Sequence, residues 1–597
     1  MKKLVAAFLI LALSTANALG QPAWDKVPED VTAAVEVRDM HSLGPRLQQA
    51  VMRISPMFMI PPPGPTVTSQ ALKTHNYVSV DLEAPFRIIV LAPPLHETPV
   101  TLYRVNDPAL YIDSLFQNIE QEKVEDGIHH LREQRESYDP TMDSPGEGRP
   151  LYIGFAGQTA AMGRKLEAVR TAVTMLKEGN LPAEPLFEAD AGAMVRLGKL
   201  MQRLEETGQD PFAGFRAAMA QMPLQNPRQR AAMETNIRMV EAFVDQTEAL
   251  SAECVLQESA LVSTFALKPV AGGGIERFLA EIPGGNPGLM KHLPGGAIVA
   301  FDMRMGGMEV FMDWMLDQWR ANLGEEAEGN EPLQRMVDAM ESWASVQAGG
   351  FAVALYGERG APVTAAEVFA VDDPEKAQAA IDNVMGSMDA LAEMGAQPGF
   401  RFSTEEIPDV PSHGGRDISG WRMHYQFEAA AGLPPNVVQM QRASIETMWG
   451  GEPTTYTASA DNRLLLTMGG EALERLKTMI DGPSEPLSES GVLAEALADM
   501  PDGAVAEGFI VPGRFADWYV GVMDSMMQPM GFPLPLANMR FAPGPPVGFA
   551  VYVDEAHVVR NRVRLPFGSL TVLVQGVMTG MQQPQTRPAP SEQGPTE

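Results

Sequence analysis

The residues able to do chemistry in this chain are few and widely spaced, with methionine the exception. There are 38 methionines. Met305, Met308, Met312 and Met315 step by three, four and three, which places them on one face of a helix. Three chemistries suit such a stripe. A flexible thioether fills irregular gaps in a core; a row of thioethers lines an adaptable apolar groove; sulfur ligands bind copper(I) in an oxidising compartment. No Cys or His flanks the stripe, and one apolar face is what any buried helix presents. The four methionines are therefore read first as core and second as an apolar ligand-binding site.

Other signals are weaker. Cys254 is the only cysteine, in a strand-like run with no His–carboxylate partner nearby in sequence, and reads as a buried inert thiol. His129-His130 reads as a solvated helix face, since neighbours on a helix point about 100° apart and do not share a metal. Gly157 to Lys165 mimics a phosphate loop, but it has one residue too many between its glycines, Arg164 where lysine is needed, and no Ser or Thr after Lys165. Gly272-Gly273-Gly274 reads as a flexible turn before a helix. Acidic pairs such as Glu405-Glu406 and Asp372-Asp373 are ordinary in so acidic a chain. No zinc-protease, nucleophile-elbow or calcium-loop pattern occurs. The sequence thus offers no catalytic residue, metal ligand or cofactor.

The elements that would position these residues form a pattern. Phe351 to Met385 reads strand, turn, strand, helix, with Asp373 as N-cap and Pro374 at the first helical position. Phe86 to Leu115 has the same order, ending in Asp107-Pro108 and a helix. Val31, Ala33, Val35 and Val37 alternate as an earlier strand with one buried face. From Pro28 to Phe86 is 58 positions and from Pro294 to Phe351 is 57; from Gly157 to Gly192 is 35 and from Gly469 to Gly503 is 34. Near-equal spacing of like features points to internal duplication. Further expectations are a polar helical extension after Ile119, a helix running from Met162 to Leu176, and an inserted loop region at 397–455. The fold class is α+β: two related halves, 21–283 and 284–581, each with helices on a mostly antiparallel sheet, followed by a disordered tail at 582–597.

The first residues, Met1-Lys2-Lys3, an apolar run to about Leu13, then small residues to Gly20, read as a signal peptide at 1–20, cut after Ala18 or Gly20. Removing two lysines takes the formal charge from -31 to about -33, a balance that repels nucleic acid and anionic surfaces. No membrane span is expected in the mature chain. The pattern Pro28-x-Asp30-x-x-Ala33-x-Val35, then an Asp and a helix, then a later Asp-Pro helix, resembles a group of exported bacterial proteins known only as a domain of unknown function. The likeness covers most of the mature chain, supports export, and lends no catalytic residue or ligand. These features together suggest an exported protein, periplasmic or extracellular, that binds or scaffolds without catalysis, its partner an envelope protein or an apolar ligand. The alternatives are an enzyme with a site assembled from distant residues and a purely structural envelope component.

Overall fold

The structure is a computed structural model. It describes residues 23–582 except 56–68, 93–98, 135–148, 214–236, 305–330, 395–399, 428–434, 528–537 and single positions 70, 75, 207, 209, 211, 212 and 239. The chain forms two compact units. One comprises the described residues of 23–284 and 549–565; the other comprises those of 285–304, 331–548 and 566–582.

In the first unit the strands are β1 (Val31–Val37), β2 (Phe86–Leu91), β3 (Val100–Arg104), β4 (Ile119–Glu125), β5 (Ile128–Glu133), β6 (Arg149–Ala156), β7 (Thr159–Gly163), β8 (Ala191–Val195), β9 (Thr247–Leu256) and β10 (Ala260–Pro269). Their hydrogen-bonded order is β4-β5-β6-β7-β3-β2-β1-β8-β9-β10, antiparallel throughout. The second unit contains β11 (Val299–Met303), β12 (Gln347–Tyr356), β13 (Thr364–Val371), β14 (Phe400–Glu406), β15 (Ile418–Phe427), β16 (Thr454–Ala460), β17 (Arg463–Gly469) and β18 (Ala506–Ile510). Their order is β14-β15-β16-β17-β13-β12-β11-β18, again antiparallel. The chain is therefore α+β, built on large antiparallel sheets. Strands β19 (Val547–Val553) and β20 (Val559–Pro566) pair with each other, and β20 adds to β10. Val558, between them, is buried in the first unit's core. The C-terminal hairpin thus belongs to the first unit, and a single cut at 283/284 does not separate the two.

Each sheet buries one face under a helix that follows its β6–β7 or β16–β17 hairpin. The helix Leu166–Lys177 buries Ala168, Val169, Ala172 and Val173 and packs on β3, β6 and β7. Burial of each valine contributes roughly 1.5–3 kcal/mol. Gly154 on β6 makes room for this helix, since a Cβ there would lie 2.7 Å from Val173 Cγ2. In the second unit the helix Ala472–Asp481 packs on β13, β16 and β17 through Leu476 and Met479. The Asp-Pro helix starts form as their sequence directs. Asp107 accepts from Ala109 N and Leu110 N at 2.9 and 3.2 Å; Asp373 accepts from Lys376 N at 3.2 Å.

Four expectations are overturned. Residues 119–133 form the hairpin β4–β5, not a helical extension. β4 is an edge strand with every residue after Ile119 exposed, so it shows no alternation of apolar and polar positions. Thr159–Gly163 is a strand, and the helix begins only at Leu166. The region 397–455 is not an inserted loop, for it holds β14, β15 and the helix Pro435–Trp449. On β1 the more deeply buried face carries Ala34 and Glu36, while Ala33, Val35 and Val37 are half-buried. Ala33 packs beside Val195 and Leu200, so the strand is covered on both sides.

Candidate functional site

Following one line of paired residues across each sheet brings two acids into view. In the first unit the line runs Ile128, Gly154, Ala161, Leu102, Arg87, Glu36, Gly192, Glu253. In the second it runs Ile418, Ala458, Leu465, Val368, Ala352, Asp302, Glu507. Because the strand orders match, Glu36 and Asp302 occupy the same place, the central strand beneath the buried face. Each is 1% exposed.

Their surroundings differ. Glu36 is paired with Arg87, its cross-strand neighbour on β2. Glu36 also accepts the backbone N–H of Leu186 at 2.9 Å and of Phe187 at 3.3 Å. Arg87 in turn donates to the carbonyls of Pro182 and Glu184. The pair therefore clasps the segment 182–187 to the sheet, with every charge met by a hydrogen bond, which a buried ion pair requires. On the far side of Glu36, Gly192 leaves space for the Phe187 ring; a Cβ at 192 would lie 2.3 Å from it. One strand further, burial pushes Glu253 up to about 7, opposed by Lys26 and Arg560 and reinforced by Glu188 and Glu36.

Asp302 has no such arginine, for Ala352 stands where Arg87 would be. Its Oδ2 accepts from Leu289 N at 2.6 Å and Met290 N at 3.2 Å, fastening the short helical turn Leu289–His292. No donor among the described residues reaches Oδ1. Across β18 stands another acid, Glu507. Burial pushes Asp302 up to about 6; the two backbone N–H groups oppose this, Glu507 adds to it, and Arg304 opposes weakly. Burial also raises Glu507, against the Asn286 amide beside it. With a second acid as its cross-strand neighbour and little opposing charge, a buried carboxyl binds its proton more tightly than it would in water. Raised carboxyls of this kind also mark acid–base sites, but at 1% exposure Asp302 offers a substrate no access.

The residues singled out from sequence are dispersed. Met305, Met308, Met312 and Met315 lie outside the described residues. Cys254 is on β9, its thiol pushed up to about 11 by burial and then by Asp190, so it is a protonated, poor nucleophile. His129 and His130 are on strand β5, not a helix, and point to opposite faces: His129 meets Gln121 at 2.9 Å, and buried His130 packs edge-on to Tyr152. Gly157 is the turn between β6 and β7 at φ +60, which fits a tight hairpin and no phosphate cradle. Gly273 precedes the helix Gly274–Glu281, whose first N–H is taken by Gln246 Oε1.

The described histidine with the most polar surroundings is His424 on β15. Its Nε2 meets Glu405 of β14 at 2.7 Å, and its Nδ1 meets Glu452 at 2.8 Å. These bonds raise its basicity, Glu452 first. Ser403 is its cross-strand neighbour, but with both ring nitrogens engaged by carboxylates the imidazole acts as a clamp on the sheet edge rather than as a base. Among the described residues no group of three or more His, Cys, Asp or Glu side chains is arranged to hold a metal ion. No helix among them is long and apolar enough to cross a membrane.

Reasoning from sequence missed Glu36, Arg87, Asp302 and Glu507. Each is one charged residue inside an apolar strand, and which face it points to depends on pairing that the sequence does not display. No family model matches the chain, and no curated protein matches it. Among solved structures it is similar to crystal forms IV, I and III of TP0453, at 9, 8 and 9% identity. The matches cover 43, 44 and 43% of this chain and 82, 81 and 83% of that one, with TM-scores of 0.21, 0.20 and 0.20. A likeness that faint carries no argument about function.

Proposed function

We propose that the chain is an exported, non-catalytic binding or scaffolding protein of the bacterial envelope, built from one α+β unit used twice. The observation that carries the duplication is the pair of matched lines: seven strands in the same order, with a buried acid in the same central strand. Two unrelated sheets have little reason to agree in both strand order and register. The binding role is supported by how the units treat polar side chains. Glu36, Arg87 and Asp302 hold backbone segments, and His424 holds a sheet edge, so these groups serve architecture. Each sheet also ends in a hairpin, β4–β5 or β14–β15, that carries charged side chains outward and offers surface to a partner.

Cell fractionation with N-terminal sequencing tests export. The mature protein should appear outside the cytoplasm, beginning at Leu19 or Gln21. An intact Met1 terminus retained in the membrane fraction overturns export. Cross-linking in intact cells tests the binding role, and recovery of the chain only as an uncross-linked monomer counts against it. A superposition of Pro28–Leu115 on Pro294–Val384 tests duplication and should bring Pro108 over Pro374.

A further inference from the structure

We propose that buried Asp302 takes up a proton when the chain folds, with Glu507 as its like-charged neighbour, and that this makes the second unit a pH-responsive element, held tightest in mild acid and loosened towards neutrality. The geometry carries the proposal. The two carboxyls are cross-strand neighbours on β11 and β18. The opposite neighbour of Asp302 is the methyl group of Ala352, where the first unit supplies Arg87 to Glu36. Oδ2 of Asp302 is occupied by two backbone N–H groups. Oδ1, with no donor reaching it among the described residues, is the oxygen suited to carry the proton.

The groups that face Asp302 are Glu507 from β18, Arg304 from its own chain just beyond β11, and the Leu289 and Met290 N–H groups from the helical turn; Arg304 exerts the weakest influence. Asn286 from the preceding loop lies against Glu507. The folded value of Asp302, about 6, lies above its ordinary 3.8. Its stabilising contribution is therefore complete below about pH 3.8, declines as pH rises towards 6, and is gone above that. Glu367, half-buried on the opposite face of the same sheet, is also pushed up by burial, to about 7. The raw pH profile therefore mixes sources, and a variant is needed to isolate this one.

Asp302→Asn keeps an acceptor for the two N–H groups and removes the proton equilibrium. The full chain is followed from pH 4 to 7 by calorimetry and by hydrogen exchange in peptides spanning 286–303. The ratio of the parent's folding constant to that of Asp302→Asn should fall by nearly tenfold per unit between about pH 4 and 6, then level off towards pH 7, about 50- to 100-fold in all. Glu507→Gln removes the like charge; against it the fall should shrink and move to lower pH. Parallel profiles for the parent and Asp302→Asn overturn the proposal, and an unchanged fall in the Glu507→Gln background overturns the part given to Glu507. If Asp302→Asn does not fold, Glu507→Gln alone decides: its stability relative to the parent should rise with pH, and a constant difference overturns the proposal.

Discussion

Glu36 and Asp302 stand at the same place in two sheets of the same strand order, yet the chain neutralises one with an arginine and leaves the other beside a second acid. The difference teaches that a buried carboxylate can serve one architectural task in two electrostatic ways. Around Glu36 the desolvation of two charges is offset by their mutual attraction and by hydrogen bonds to the 182–187 segment. Around Asp302 the burial of an acid raises its proton affinity, to about 6, and two backbone N–H groups meet the carboxylate. The first solution rests on a pair of opposite charges with their hydrogen bonds. The second depends on the proton.

The sharpest way to break the comparison is Arg87→Met. It strands Glu36 as an unpaired buried charge, and the unfolding transition of the first unit should lose about 3–5 kcal/mol in urea titration. A loss below 1 kcal/mol would mean that Arg87 does little to hold Glu36 in the core and that the two acids are more alike than described.

A smaller effect is expected next to the acids. Gly192→Ala drives a Cβ into the Phe187 ring and should cost about 1–3 kcal/mol. At the matching position of the second unit, Glu507→Ala removes a like charge and introduces no clash, so chemical denaturation at pH 7 should find it neutral or stabilising. A large loss there would show that Glu507 holds structure rather than a proton.

The helix starts should behave alike in the two units, since Asp107 and Asp373 cap in the same way. Asp107→Ala and Asp373→Ala should each cost about 1 kcal/mol in thermal unfolding. Costs that differ several-fold would argue against equivalent roles.

The smallest effect belongs to the His424 clamp, which joins β15 to Glu405 of the edge strand β14 and to Glu452. Its basicity is raised by Glu452 and Glu405, so its contribution is present below its ordinary 6.5 and fades as pH climbs through the raised folded value. The site is exposed and screened. His424→Asn should leave global unfolding unchanged and only speed amide exchange in β14 at pH 5.5 relative to pH 8. A global loss would mean that the edge strand is integral to the second unit's core.

Particular elements show how much was legible in the sequence. Phe86 to Leu115 and Phe351 to Met385 were readable because their signals are local: apolar runs, a turn, then Asp-Pro at a helix start. The hairpin β4–β5 was not, because an edge strand exposed on both faces carries no period of two. The wrong face was assigned to β1 because a central strand covered on both sides has apolar residues in either phase. The expectation for Cys254 rested on its strand-like run and the lack of a His–carboxylate partner nearby; the residue is on a strand, half-buried rather than fully buried, and its raised thiol suits an inert role.

What the sequence determined by itself was the local grammar: that strongly patterned stretches such as Phe86 to Leu115 and Phe351 to Met385 are strands leading into a helix, where Asp107 and Asp373 begin helices, and that like features recur at like spacing. These depend on contacts within a few residues. The tertiary structure decided which acid meets an arginine and which meets another acid, since that depends on register between strands such as β1 and β2, or β11 and β18, far apart in the chain. It also decided that Val558, near the C-terminus, completes the first unit's core. A sheet edge is satisfied by any strand with free N–H and C=O groups, and nothing in the local sequence of β20 names β10 as the edge it joins.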